Sequence, residues 1–277
     1  VTSKDGCIDS LTKPFSNVYP QPQAKFDIAP ITKAVCIGDT LFFTDKSDGK
    51  TSAVNTWKWT FGDNTTSSIQ NPYRVYTDTN TFQVQLVIFN TQGCISDTAK
   101  DVVIVHPYPK LNGGPDLFVL EGGTIQIKPS FYATNPTFLW STVTYPIVYL
   151  DSIDIAYPRS TPPDDITYTV KLTGIGGCTV TDDVFIRVLK APVIPNAFSP
   201  NGDNINDTWE IKYLESYPGA TIEVYDRGGR LVYNSFNYSK NWDGTIAGKP
   251  LPIGTYYYII NPKNGRKLMS GSVTIIR

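Results

Sequence analysis

A glycine–cysteine motif returns along this chain at a fixed interval. Gly6-Cys7-Ile8-Asp9-Ser10, Gly93-Cys94-Ile95-Ser96-Asp97 and Gly177-Cys178-Thr179-Val180-Thr181-Asp182 stand about 85 residues apart. Each is followed by a strand-forming run and then a proline break: Tyr19-Pro20-Gln21-Pro22, His106-Pro107-Tyr108-Pro109, and Ala191-Pro192 through Pro195. Prolines this dense favour extended, stiff connections. A repeat of this period means tandem modules, each a domain in size. Residues 1–22 are then the tail of a preceding repeat, and two complete modules, 23–107 and 108–190, lead to a terminal domain, 191–277. The chain opens VTSKDGCIDS, without an initiator methionine or an apolar leader, and is expected to be a fragment of a longer secreted protein.

Strand chemistry dominates throughout. In the first module Leu41–Thr44, Trp57–Phe61, Phe82–Asn90 and Val102–Val105 alternate apolar and polar residues or carry β-branched and aromatic runs. Trp59 and Phe61 project to one face of a strand and are expected in a core. The second module repeats the plan. Gly122-Gly123-Thr124-Ile125 corresponds to Gly38-Asp39-Thr40-Leu41, Phe138-Leu139-Trp140 to the tryptophan strand, and Thr167–Leu172 to Thr81–Leu86. An Ig-like sandwich with a core tryptophan is expected, with Tyr168 as a candidate for a hydroxyl-to-backbone corner. With 21 Gly, 21 Pro, 13% aromatics, one Met and one His, the composition is that of an extracellular all-β protein. A net charge of −1 without a Lys/Arg run speaks against nucleic acid or an anionic membrane as partner. No apolar stretch reaches the roughly 20 residues of a membrane helix, so the chain is not expected to span a membrane itself.

The same alignment places Cys36 opposite Leu120, so the first module has two cysteines and the second one. The expected disulfide is therefore Cys36–Cys94, with Cys178 free and Cys7 parted from a partner in the missing body of its own module. Closing nearly 60 residues, such a bridge contributes about 2–4 kcal/mol.

Catalysis finds little support. The one histidine, His106, sits in a proline linker, no Ser or Cys nucleophile has a recognisable base, and H-E-x-x-H, C-x-x-C and glycine-rich phosphate motifs are absent. No enzyme is expected, although carboxylate pairs of a hydrolase meet only in the fold. Asp63 reads as a turn cap, with a ligand or catalytic group as the alternative. Asp151, Asp154, Asp164 and Asp165 read as a solvated loop. Asn201, Asp203 and Asp207, with the Ile205 carbonyl, place oxygens at every second position as calcium loops do. They lack the glycine and distal glutamate of an EF-hand, and a hydrogen-bonded turn is the alternative.

Two stretches carry family resemblances. Trp57-Lys58-Trp59-Thr60-Phe61-Gly62-Asp63, with Asn71-Pro72-Tyr73 and Tyr76, resembles the PKD domain, departing from it at Thr60 and Phe82. In the terminal stretch, Ile222, Val224 and Tyr225 precede an Asp226-Arg227-Gly228-Gly229 turn, Leu231–Tyr233 return, and Thr255–Ile260 is an aromatic and β-branched run closed by Asn264-Gly265. A small antiparallel sandwich is expected, its last strand, Gly271–Arg277, paired in a sheet. Its PNAFSPNGDNIND opening, VYDRGGRLVY hairpin, NWDG turn, LPIGTYYY run and GSVTIIR ending together resemble the gliding-motility-associated C-terminal domain of Bacteroidetes.

That resemblance implies a type B sorting signal, recognised by the type 9 secretion translocon with a PorP/SprF-type outer-membrane β-barrel and left at the cell surface. Receptor contacts are expected from the loops at one sandwich end: Asn196, Phe198, Pro200, Asn201, Asp203 and Asp207 in the first, Trp242 and Asp243 in the second, Leu251 and Pro252 in the third. The bland alternative is that these are the turns any such sandwich needs. The fold expected is all-β: tandem Ig-like/PKD-like β-sandwich domains with a C-terminal β-sandwich sorting domain. The function expected is an adhesin-like, non-enzymatic surface region. The alternative is a carbohydrate- or protein-binding module using aromatics such as Tyr145, Tyr149 and Tyr157.

Overall fold

A computed structural model describes residues 4–5, 18–143 and 149–277, so Cys7 and Tyr145 lie outside the described residues. Every extended element among them is a strand, and the two short helices are single 3-10 turns. The chain divides into two compact units: 1–109 with 133–136 and 173–179, and 110–132 with 137–172 and 180–277.

Unit 1 contains β1 (Phe26–Ala29), β2 (Ala34–Cys36), β3 (Thr40–Asp45), β4 (Val54–Thr60), β5 (Thr66–Ser67), β6 (Tyr73–Val75), β7 (Thr81–Asn90) and β8 (Ala99–His106). They form sheets of order β1-β3-β6 and β2-β8-β7-β4-β5. β2 runs parallel to β8, with Cys36 opposite His106, and so joins the first strand of its sheet to the last. Alternation in β7 buries Phe82, Val84, Leu86 and Ile88 on one face, as period-2 patterning requires. They pack around Trp59, whose ring meets Phe26 edge-on at 5.1 Å and whose Nε1 donates to the Ile69 carbonyl at 2.9 Å. Phe61 is buried on the same side, as its spacing from Trp59 requires. Asp63 caps its turn, accepting from the Thr65 amide at 3.1 Å, and pairs with Arg74, which nothing in the motif announced. Burial pushes the Asp63 carboxyl up, but hydrogen bonds from Thr65 and Arg74 outweigh it and leave it below the usual range.

Unit 2 begins with β9 (Lys110–Asn112), β10 (Leu117–Leu120), β11 (Ile125–Gln126), β12 (Ser130–Tyr132), β13 (Thr137–Thr142), β14 (Arg159–Ser160), β15 (Ile166–Thr173) and β16 (Thr179–Leu189), the last two strands bounding a turn that clusters with unit 1. The main sheet is ordered β10-β16-β15-β13, with β10 parallel to β16 and Leu120 opposite Leu189. Trp140 takes the place of Trp59: it is fully buried and donates to the Ile155 carbonyl at 2.9 Å. Tyr168 is buried too, but its hydroxyl meets the Ser160 hydroxyl at 2.9 Å, so the expected corner to backbone is not made. Tyr157 leans against Phe131, 6.2 Å between ring centres.

The terminal sandwich comprises β17 (Ala197–Phe198), β18 (Thr221–Tyr225), β19 (Leu231–Phe236), β20 (Thr245–Ile246), β21 (Lys249–Pro250), β22 (Gly254–Asn261) and β23 (Met269–Ile275). Its sheet is ordered β17-β23-β22-β18-β19, and β17 again runs parallel to the last strand. Trp209, Trp242, Tyr217, Ile222, Val224, Ile260, Val273 and Ile275 build its core, and Leu189 from the end of β16 is buried within it. Tyr217 donates to the Lys190 carbonyl at 2.7 Å and to that of Leu189 at 3.1 Å, while Arg266 Nη2 reaches the Leu189 carbonyl at 3.2 Å.

The expected disulfide is overturned. Cys36 is bonded to Cys178, across a sequence separation of 142, and Cys94 is free. The Cys36–Cys94 pairing fails on strand geometry. Cys36 lies beside the last residue of β8, whereas Cys94 precedes its first, and eight residues at about 3.3 Å each put them some 25 Å apart, far beyond a disulfide's reach.

Gly271 lies opposite Tyr258 in the β22–β23 ladder, and an added Cβ would overlap the Tyr258 hydroxyl. Gly271→Val is therefore expected to cost about 1–3 kcal/mol through overpacking, read as a lower midpoint in thermal or urea unfolding. An unchanged midpoint would mean that the ring moves aside freely.

Candidate functional site in the terminal sandwich

The three loops singled out in the sequence converge on one end of the terminal sandwich. β17 and the close of β23 fix the first: Thr274 donates to the Asn196 carbonyl at 2.8 Å and Ile276 to that of Phe198 at 3.0 Å. The second is fixed by the pairing of two tryptophans. Trp209 donates its amide to the Trp242 carbonyl at 2.7 Å and its Nε1 to that of Pro195 at 2.8 Å. Gly244 follows at φ +71°, a left-handed conformation that glycine adopts without cost. A Cβ there would stand 3.2 Å from Pro200 and 3.3 Å from Phe198 and Ile275, so this turn lies against the first loop and the last strand. The third joins because Leu251 donates its amide to the Gly244 carbonyl at 2.9 Å. Pro252 is held by its carbonyl, which accepts from the Tyr256 hydroxyl at 2.9 Å.

Burial divides the expected contact residues. Phe198, Trp242 and Leu251 are core residues, exposed by only 2%, 1% and 3%, so their side chains do not face a receptor. Their large apolar surfaces hold the loops together instead, which corrects their place among the contact residues. Asp243 turns inward to its own turn, accepting from the Thr245 amide at 3.0 Å and hydroxyl at 2.7 Å. Asn196, Asn201, Asp203 and Pro252 are exposed, and Pro200 and Asp207 are half-buried. Exposed beside them are Ile205, Ile253 and Ile276, which the sequence reading did not assign as contacts. An open groove at this end runs between the Asp226–Arg230 turn and Leu251–Tyr257, bringing in Arg227 and Arg230. The DRGG sequence marked that turn but not its proximity to the proline loop.

Asp207 organises the first loop. Its Oδ1 accepts from the amides of Asn201 at 2.9 Å and Gly202 at 2.7 Å, and its Oδ2 from Asn204 at 2.8 Å. Asp203 accepts from the Ile205 amide at 2.8 Å, Asn201 from the Asp203 amide at 3.1 Å, and the Ile205 carbonyl from the Ser199 hydroxyl at 3.4 Å. The residues read as possible calcium ligands thus direct oxygens to the loop's own donors. Among the described residues no cluster of three His, Cys, Asp or Glu is placed to hold a metal ion.

Two family models match parts of the chain. Residues 193–275 match the family model of the CHU_C type IX secretion signal domain. Over these residues the chain is similar to a type IX secretion signal domain. Residues 19–105 match the PKD domain. Among solved structures, the PKD1 domain of the Vibrio cholerae metalloprotease PrtV is 22% identical over 31% of this chain and 98% of its own, with a TM-score of 0.28. Titin domains I67–I69 are 11% identical over 93% of this chain and 99% of theirs, with a TM-score of 0.42. None of the curated proteins compared with the chain matches it. The signal implies a secreted or cell-surface protein built of tandem β-sandwiches, and no helix among the described residues is long and apolar enough to cross a membrane.

The Gly202 amide, against a smaller opposing effect of burial, and those of Asn204 and Asn201 hold the Asp207 carboxyl below its usual range. Because folding lowers this value, the stabilisation is complete above the unfolded carboxylate value of about 3.9 and is lost as pH falls through the folded one. At neutral pH, Asp207→Ala is expected to speed amide exchange at Asn201, Gly202 and Asn204 roughly tenfold or more, with the Thr274 amide unchanged. Undiminished protection of the three amides would remove Asp207 as the organiser.

Proposed function

We propose that this chain is the non-enzymatic C-terminal region of a large, adhesin-like cell-surface protein. Its Ig/PKD-like sandwiches act as spacers, and its terminal sandwich is a type B sorting signal of the kind found in Bacteroidetes gliding-motility proteins. A PorP/SprF-type outer-membrane β-barrel, acting with the type 9 secretion translocon, receives that signal and leaves the protein associated with the outer-membrane surface. The observation that carries this reading is the convergence of the first loop, the Gly244 turn, the proline loop and the end of β23 on one face. A receptor meeting that face reads a folded surface whose shape depends on the whole sandwich. Ile205, Pro252 and Ile253 offer it apolar contacts, Asp203 and Arg227 polar ones. Desolvating a few exposed apolar anchors within a polar rim is how compact interfaces gain affinity.

Residues 110–277 fused to an exported reporter are expected to deliver it to the cell surface only when the barrel partner is present. The same fusion ending at Ser270 should fail, because it lacks most of β23 and opens the sheet between β17 and β22. Ile253→Asp, an exposed substitution, should leave the fold intact and reduce surface delivery severalfold. Delivery by the truncated fusion, or without the barrel, would contradict the proposal.

A further inference from the structure

Two turns of this chain have the same construction. In the turn after β15, Gly174 donates its amide to the Cys178 carbonyl at 2.8 Å, Gly177 donates to the Gly174 carbonyl at 3.2 Å, and Ile175 to that of Thr134 at 3.0 Å. In the turn after β7, Asn90 donates to Cys94 at 3.1 Å, Gly93 to Asn90 at 2.9 Å, and Thr91 to Ala53 at 2.9 Å. Gly93 and Gly177 even share φ, at +80° and +79°. Cys94 therefore occupies the place of Cys178, and Cys178 is bonded to Cys36, the residue that ends β2, the strand of the preceding sandwich that lies parallel to its last.

The second junction of this kind uses the same place without sulfur. There the turn between β22 and β23 sends Arg266 to the carbonyl of Leu189, which pairs with Leu120 as His106 pairs with Cys36. In both, the turn between the last two strands of one sandwich engages the end of the last strand of the sandwich before it. The linker leading into the first sandwich also follows the pattern: Pro109 lies 3.6 Å from where a Gly174 Cβ would stand, and its repeat counterpart Pro22 is buried. The turns depart at Asn90 in the place of Gly174, whose side chain also accepts from the Gln92 and Cys94 amides, and at Gln92 in the place of Gly176, where an added Cβ would overlap the His106 ring. A different neighbouring side chain is required there, and Tyr19 stands in the place of His106.

We infer that Cys94 is the attachment point for a β-sandwich preceding this chain in the exported protein, forming a disulfide with a cysteine that ends the strand of that sandwich equivalent to β2. The Cys36–Cys178 bond is the template, and the thiol–disulfide oxidase that makes it supplies the chemistry. The Cys94 thiolate attacks the oxidase disulfide, forming a mixed disulfide and releasing one oxidase thiolate. The partner thiolate then attacks the Cys94 sulfur and expels the second oxidase thiolate, so two electrons pass to the oxidase and the two protons to solvent or base.

The test is peptide mapping of the full exported protein, alkylated before denaturation and digested without reduction, in preparations where the Cys36–Cys178 peptide is intact. The expected result is a Cys94 peptide linked to a cysteine peptide from outside these 277 residues. In the Cys94→Ser protein that partner should appear newly alkylated, by the mass of one label. An alkylated Cys94, a Cys94–Cys7 link, or no new thiol in the variant would overturn the inference.

Discussion

Each sandwich in this chain is closed by a parallel pairing between a strand from its beginning and its last strand. β2 lies along β8, β10 along β16 and β17 along β23. A parallel pair cannot be made by a hairpin and needs the whole intervening chain as its crossover. Closure therefore requires every other strand to be in place, and loss of either partner opens a sheet edge. The same pairing decides what stands at the domain ends. Cys36 and His106, or Leu120 and Leu189, are brought together by register alone, and these are the residues that the following turn meets.

The two junctions use different chemistry for the same end. One is covalent, at Cys36 and Cys178. The other buries Leu189 in the core of the terminal sandwich and satisfies its carbonyl from Glu121, Tyr217 and Arg266. Burying an aliphatic side chain of this size is worth about 1.5–3 kcal/mol, and the Tyr217 and Arg266 donors spare the carbonyl the cost of desolvation without a partner. The terminal sandwich thus draws part of its core from the strand that precedes it. Its loop-bearing end is built on that core: Phe198, Trp242 and Leu251 hold from within the loops that present Ile205, Ile253 and Pro252 outside.

Much of this was legible in the sequence. Alternation located the tryptophan strands and the last strand, because a side-chain period of two is a local property. The glycine–cysteine interval gave the repeat, and aligning Cys36 with Leu120 proved structurally sound, since both end the strand parallel to the last. The disulfide was misassigned because repeat register states which residues are equivalent, not which are close, and Cys94 lies a full strand length from Cys36. The contact residues were misread for a related reason. Phe198, Trp242 and Leu251 belong to loops in sequence but to the core in space, and Gly244 meets Phe198 and Pro200 from more than forty residues away and Ile275 from the last strand. Arg74, Tyr217 and Arg266 carried no local mark, because each acts on a group distant in the chain.

The terminal domain is a folded sandwich whose last strand is an integral part of it. Amide hydrogen exchange at Thr274 and Ile276, the two donors that join β23 to the β17 segment, tests it most directly. The expected protection equals that of the central strand β22 and is lost only on global unfolding. Exchange of these two amides at the rate of a free chain end would contradict it.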